Sequence, residues 1–281
     1  LPNGHIVPAL LAGNTIVFKP SEMTPAVGEF MAKAWEAAGL PKGVLNLVQG
    51  ARETGAAALD HADLDGVLFT GSWGTGKFIH EKFAGRTGIQ LALEMGGNNP
   101  LVVWDAADAE AAARVAVHSA YITAGQRCSC ARRLILPEGA AGDAVVEAID
   151  RIAGQLSIGR WDADPEPFIG PLVSAQAARG VLAAQDDLLS RGAKAIRKAV
   201  TVAELGEAFL RPGLIDVTGV DVPDEEVFGP LIQIVRVASF DDAIAAAKDT
   251  AYGLSAGLVS DDEALWERFW VEARAGIVNW N

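Results

Sequence analysis

At 281 residues the chain suits one large domain or two moderate ones. Half of it is hydrophobic and 21% is charged, the balance of an ordinary globular protein. A formal net charge of −13 argues against a nucleic-acid partner, since phosphate contacts need clustered Lys and Arg, and obliges any anionic substrate to find local basic groups.

No apolar run approaches the ~18 residues of a membrane span, and no basic-then-apolar leader is present, so neither a membrane anchor nor a signal peptide is expected. The chain opens on Leu1-Pro2-Asn3-Gly4 without a start methionine. It closes on Val278-Asn279-Trp280-Asn281, an apolar run cut in mid-element, so a piece of a longer chain is expected. Cys128 and Cys130, the two cysteines, are separated by Ser129 alone. A bridge between them would be strained and would close no useful loop, which points to a reducing compartment, the cytoplasm.

Short apolar runs alternate with alanine-rich amphipathic stretches, the pattern of an α/β fold with largely parallel strands. In chain order, strands are expected at 15–18, 44–48, 66–69 and 89–93, with helices at 25–38, 54–60 and 74–84. Gly39 follows the first of these helices in the usual terminating position. A second run begins at Pro100, with strands at 101–104, 134–136, 232–237 and 256–259. Helices fall at 108–124, 142–156, 175–191, 241–248 and 262–273, and 159–170 reads as a long exposed loop. The boundary between domains 1–95 and 96–281 is set at Gly96-Gly97, where two glycines permit a sharp turn.

Five segments carry chemistry-bearing residues. In Gly125-Gln126-Arg127-Cys128-Ser129-Cys130, a thiolate would be a good nucleophile if a nearby positive charge or backbone dipole favoured it. Either cysteine reads equally well as a small buried hydrophobe, and two ligands one residue apart make a poor zinc site, so no metal is expected. Glu94 ends an apolar strand before two glycines. Partial burial would raise its pKa and suit it to accepting a proton, while backbone N–H groups could equally satisfy it. Thr70-Gly71-Ser72-Trp73-Gly74-Thr75-Gly76 joins a strand to a helix and offers N–H groups to a phosphate, although it lacks the common dinucleotide spacing. Lys19 and Glu22 follow a strand and could bond a ribose, or form a solvated charge pair. The fifth segment is Glu225-Glu226-Val227-Phe228-Gly229-Pro230.

In this order the five segments resemble the aldehyde dehydrogenase superfamily over residues 1–281, most specifically around Glu94 and Cys128. The resemblance implies a Rossmann-type NAD-binding domain within 1–95 and an α/β catalytic domain within 96–281. It implies Cys128 as nucleophile, in preference to Cys130, and Glu94 as the base that activates water against a thioester. Lys19 and Glu22 would hold the adenosine ribose of NAD, Glu22 disfavouring a 2′-phosphate. Ser72 would lie near the pyrophosphate, with Gly71 and Gly76 keeping that helix end clear. Glu226 would hold the nicotinamide ribose and Phe228 would pack beside the ring.

LPNGHIVPALLAGN, LEMGGNNP, GQRCSCARR and GIVNWN are closest to members acting on a semialdehyde with several carboxylates in arginine breakdown. Arg127, Arg132 and Arg133 are then candidate carboxylate ligands, unless the last two sit on a strand edge and pair with surface acids. The superfamily's oxyanion asparagine and its C-terminal substrate and subunit segments have no counterpart in this sequence. Residues 1–281 by themselves are therefore expected to be inactive and the full-length protein to form a homo-oligomer. Three alternatives compete: an acylating enzyme using coenzyme A, disfavoured by Glu94; a relative acting on another aldehyde; and a non-catalytic nucleotide-binding protein.

Overall fold

The computed structural model describes residues 1–281 and divides into two compact units, Leu1–Met95 and Gly96–Asn281. The first contains α1 (Pro2–Leu11), β1 (Ile16–Phe18), α2 (Pro25–Ala37), β2 (Leu45–Leu47), α3 (Arg52–Leu59), β3 (Gly66–Gly71), α4 (Trp73–Lys82) and β4 (Gln90–Met95). Every element expected here is present within a few residues. Helix α1 is an addition: Pro2, Gly4 and Pro8 read as breakers, but Pro2 occupies the first turn, where no backbone bond is lost. β1 pairs with β2 and β3 with β4, both in parallel, so the unit is built from two β-α-β crossovers on separate two-stranded ladders.

The second unit contains β5 (Pro100–Val103), α5 (Ala109–Tyr121), β6 (Arg133–Pro137), α6 (Ala140–Gln155), α7 (Ala175–Ser190) and β7 (Lys194–Arg197). Then come β8 (Val200–Thr201), β9 (Leu210–Arg211), β10 (Gly213–Asp216), β11 (Leu231–Val237), α8 (Phe240–Lys248), β12 (Ser255–Val259), α9 (Glu263–Glu272) and β13 (Ile277–Trp280). Seven strands form one sheet in the order β13-β12-β5-β6-β11-β10-β7, parallel throughout except for β7 at the edge. Strands β7 to β10 and β13 are not expected from the sequence, because they are short and lack clean alternation or turn signals.

Side-chain alternation divides the core of this unit between the two faces of the sheet. Leu101, Val103, Leu134 and Leu136 join one cluster with residues of α5, α6 and α7; Val102 and Ile135 join another with α8 and Phe269 of α9. Asp108, Ser174, Ser239 and Asp262 cap the starts of α5, α7, α8 and α9 through their side chains, each such cap contributing about 1 kcal/mol. The 159–170 segment is largely irregular, closed by a bridge between Ile158 and Ile169. Trp161 is 86% exposed and anchors nothing, whereas Trp266 stacks on Trp280 with ring centroids 5.5 Å apart.

Candidate active site

The helix expected to reach Ala124 stops at Tyr121. A tight turn follows at Ile122–Gly125, in which Thr123, Ala124 and Gly125 all have positive φ, at 57°, 55° and 68°. Alanine is a good helix former, so no local signal marks this break; tertiary contacts override propensity. Gly125 has a second reason to be glycine, since a Cβ there would strike the carbonyl of Gly229. The turn therefore lies directly against the Glu225–Pro230 segment, a hundred residues away in the chain. Gln126 pins it from the other side, accepting from Val173 N–H at 2.7 Å and donating to the carbonyl of Pro171.

Cys128 follows, half-buried, while Cys130 is 2% exposed. Burial pushes the Cys130 thiol above its ordinary pKa, although Arg132 opposes this, so Cys130 is a poor source of thiolate. The loop's backbone is held by Asn99, whose amide donates to the carbonyls of Cys128 at 2.7 Å and Cys130 at 2.9 Å. Its side-chain oxygen accepts from Ser255 N–H, and its own carbonyl receives the N–H groups of Arg132 and Arg133. Asn99 is thus a hub joining the starts of β5, β6 and β12. Its only signal in the sequence is an amide between a Gly-Gly pair and a buried strand, where a polar group must find partners.

Neither Gly96 nor Gly97 has positive φ. They are small because other groups come close: a Cβ at Gly96 would strike the Glu226 carboxylate, and one at Gly97 the Asn99 side chain. Glu226 is mostly buried, its side chain 13% exposed, and accepts from Arg132 Nη2 at 3.3 Å. Burial raises its pKa, against the attraction of Arg132 and the hydrogen bond from the Gly97 N–H. The Phe228 ring is 45% exposed and lies beneath the Arg132 guanidinium at 5.3 Å. Asp224 accepts from the Asn98 amide, Thr250 hydroxyl and Ala251 N–H, fixing the start of this segment.

The structure places two of the three candidate substrate arginines in the interior. Arg132 is 1% exposed and Arg133 8%; Arg133 starts β6, in the middle of the sheet rather than at its edge, and Arg132 immediately precedes it. Arg133 donates to the carbonyls of Asn98, Ala246, Ala247 and Asp249, so its cation caps the C-terminal end of α8. Arg132 gives its donors to the carbonyls of Gly125 and Arg127 and to Glu226. Neither pairs with a surface acid, and neither offers a free fork to a carboxylate. Arg127 is exposed and bonded through Nε to the Thr123 hydroxyl at 2.9 Å.

All of these groups lie at the amino ends of β5, β6, β11 and β12. A parallel sheet more often places its ligands beyond the carboxyl ends of its strands, so strand direction alone would point to the wrong edge.

The first unit carries the remaining candidates. Lys19 follows β1 and donates to the carbonyls of Pro20 and Gly50, both at 2.9 Å, with Glu22 at 3.7 Å and exposed. Ser72 caps α4, accepting from Thr75 N–H at 3.3 Å. Phe69 fills the space beside Gly71, and the Met95 side chain fills that beside Gly76. Only the Gly76 contact joins α4 to a strand, β4; the Gly71 contact lies within β3. Glu94 is exposed, contrary to the expected partial burial. Alternation along the β3–β4 ladder puts it with Thr70 on the open face, while Val67, Phe69, Leu91 and Leu93 take the better covered one.

Comparison with known proteins bears on the family and the fold. The sequence pattern of the aldehyde dehydrogenase family matches residues 1–281. The chain is 57% identical over its whole length to N-succinylglutamate 5-semialdehyde dehydrogenase of Ectopseudomonas mendocina (strain ymp), covering 58% of that protein. It is 58% identical to the Salmonella typhimurium protein of the same name and to N-succinylglutamate 5-semialdehyde dehydrogenase 2 of Caulobacter vibrioides, covering 57% of each. It thus spans somewhat more than half the length of these relatives. Among solved structures, 1-pyrroline-5-carboxylate dehydrogenase from Thermus with bound NAD superimposes with a TM-score of 0.88 at 33% identity, over 99% of this chain and 54% of that one. Lactaldehyde dehydrogenase gives 0.87 at 32% identity, over 98% and 58%. With the cysteine loop, the Gly-Gly-Asn-Asn segment and the buried glutamate in one hydrogen-bonded framework, and with matches along its whole length, the chain belongs to the aldehyde dehydrogenase family.

Proposed function

We propose that the full-length protein oxidises N-succinyl-L-glutamate 5-semialdehyde to N-succinyl-L-glutamate with NAD, in arginine catabolism in the cytoplasm. The observation that carries this reading is the 57–58% identity, along the entire chain, to bacterial enzymes bearing that name. Cys128 adds to the aldehyde carbon, giving a thiohemiacetal on its sulfur. NAD, when bound, supplies the hydride acceptor that makes this intermediate a thioester. Glu94 takes a proton from water, which attacks the thioester carbon and releases the carboxylic acid and the Cys128 thiol. The exposure of Glu94 suits a group that must exchange protons with water.

The residues fit the cofactor. Carboxylates are good acceptors for ribose hydroxyls, and the chain offers Glu22 beside Lys19 and Glu226 against Gly96, where the absence of a Cβ leaves its carboxylate room. Ser72 caps a helix start suited to a diphosphate, and the exposed Phe228 offers a ring face to a planar group. The relative from Thermus carries NAD in its solved structure.

A second reading, oxidation of a different semialdehyde, draws support from Arg132 and Arg133, whose donors are spent on backbone carbonyls and Glu226. Arg127 then has to supply the carboxylate contact in this region. The deciding measurement is NADH formation by the full-length protein with the succinylated semialdehyde, glutamate 5-semialdehyde and succinic semialdehyde. A clear preference for the first upholds the assignment. Equal rates, or preference for a smaller aldehyde, keep the chemistry and remove the arginine pathway.

A further inference from the structure

The turn before Cys128 carries strain that its surroundings must hold. Thr123 and Ala124 both occupy the left-handed region, which costs a non-glycine residue about 1–2 kcal/mol and persists only where neighbours over-determine the backbone. One buried cation supplies much of that determination. Arg132 Nη1 donates to the Gly125 carbonyl at 2.7 Å, and Nη2 donates to the Arg127 carbonyl at 2.9 Å. The same Nη2 is also 3.3 Å from Glu226 Oε1, and the guanidinium lies over the Phe228 ring. Its Nε is buried without a partner, so the side chain is held from its far end alone.

One nitrogen is therefore shared between the carbonyl of the residue before Cys128 and the carboxylate of a residue 94 positions away. Nη2 carries two N–H bonds, one for each acceptor, so the guanidinium bridges the loop carbonyl and the carboxylate and cannot shift at one without disturbing the other. If the carboxylate loses charge or turns to another donor, the guanidinium moves toward the loop carbonyl, and the loop responds. We propose that Arg132 is a positioning residue through which the state of the Glu226 carboxylate is transmitted to the Gly125–Cys128 loop and sets the reactivity of Cys128. This rests on the reading in which Glu226 receives the hydroxyls of a ribose, and deepens it: arrival of that ligand is felt at the nucleophile through one side chain. Linkage makes the effect reciprocal, so a change at the loop alters affinity at Glu226.

The test needs no turnover. The cofactor-free, full-length protein is treated with iodoacetamide, and labelling of Cys128 is followed by site-resolved mass spectrometry, with the buried Cys130 as internal reference. Glu226→Gln should change the Cys128 labelling rate about threefold or more when Arg132 is present, and by less than about 1.5-fold in Arg132→Gln. The same change from Glu226→Gln in both backgrounds overturns the proposal. So does a folded Arg132→Gln protein whose Cys128 labels at the unaltered rate.

Should Arg132→Gln fail to fold, Arg132→Lys decides in its place. A point ammonium keeps the charge but lacks the fork that spans both carbonyls and the carboxylate, so coupling should be lost; retained coupling overturns the idea. NADH formation is measured on the same samples. Absent coupling with NADH formation intact rejects Arg132 as the link and leaves the enzymatic reading standing. Intact coupling without turnover does the reverse.

Discussion

The two units handle apolar surface in opposite ways. In residues 96–281 one seven-stranded sheet is covered on both faces, and its central strands are buried without interruption. In residues 1–95 only Ile6, Ile79 and Phe83 are buried hydrophobics, while Val17, Val27, Phe30, Leu68 and Phe78 lie open on short two-stranded ladders and their helices. The candidate residues follow the same division. Glu22, Ser72 and Glu94 are exposed at the ends of elements, whereas Cys128 stands on a loop held by Asn99, Gln126 and Arg132, themselves buried or partly so. A nucleophile is useful only in a fixed geometry, and a dense core supplies the rigidity; a group that exchanges protons or hydroxyl bonds with solvent needs access instead.

The largest effect expected falls on the held loop. Cys128→Ala in the full-length protein should lower aldehyde oxidation by about 10³-fold or more, while Cys130→Ala leaves most of it, as read from NADH formation. Equal loss in both would mean that burial does not distinguish the two thiols.

Amide hydrogen exchange on residues 1–281 tests the contrast directly. Strands β5, β6 and β11 should exchange only through near-global opening, several kcal/mol above the local openings that expose β1 to β4. Uniform protection across both units would break the comparison.

The arginines sharpen it within one unit. Arg133→Ala leaves the carbonyls at the end of α8 unpaired and should cost about 3 kcal/mol in urea unfolding, whereas Arg127→Ala, on the surface, should stay within about 0.5 kcal/mol. Arg127→Ala should instead raise KM for a carboxylate-rich aldehyde and leave an uncharged one unaffected.

The smallest effect is in acid. Burial pushes the Asp216 carboxyl up, but hydrogen bonds from Thr218 and from Arg236 at 2.9 Å outweigh it, and its pKa falls below the ordinary value. A carboxylate with a depressed folded pKa stabilises fully above its ordinary pKa, and that contribution is lost as pH falls through the lowered one. Asp216→Asn should therefore flatten the acid limb of thermal stability and leave residues 1–95 unchanged. An identical acid limb in the variant would remove Asp216 from the account.

The strands and helices with clear period or caps were legible in the chain itself, from β1 to β6 and from α5 to α9, because hydrophobic alternation and capping are local properties. Motif order carried the family, and the Cys128 segment and the Glu226 segment were both marked by it. Tertiary structure alone decided that they touch, that the α5 helix breaks at Tyr121, and that Gly96 is small to admit a carboxylate. It also placed in the interior Arg132 and Arg133, which look like free cations in a string of letters. Apart from the two loop carbonyls close to Arg132 in the chain, those outcomes depend on groups about 30 to 156 positions apart meeting in a buried space, and no short window of sequence contains both partners.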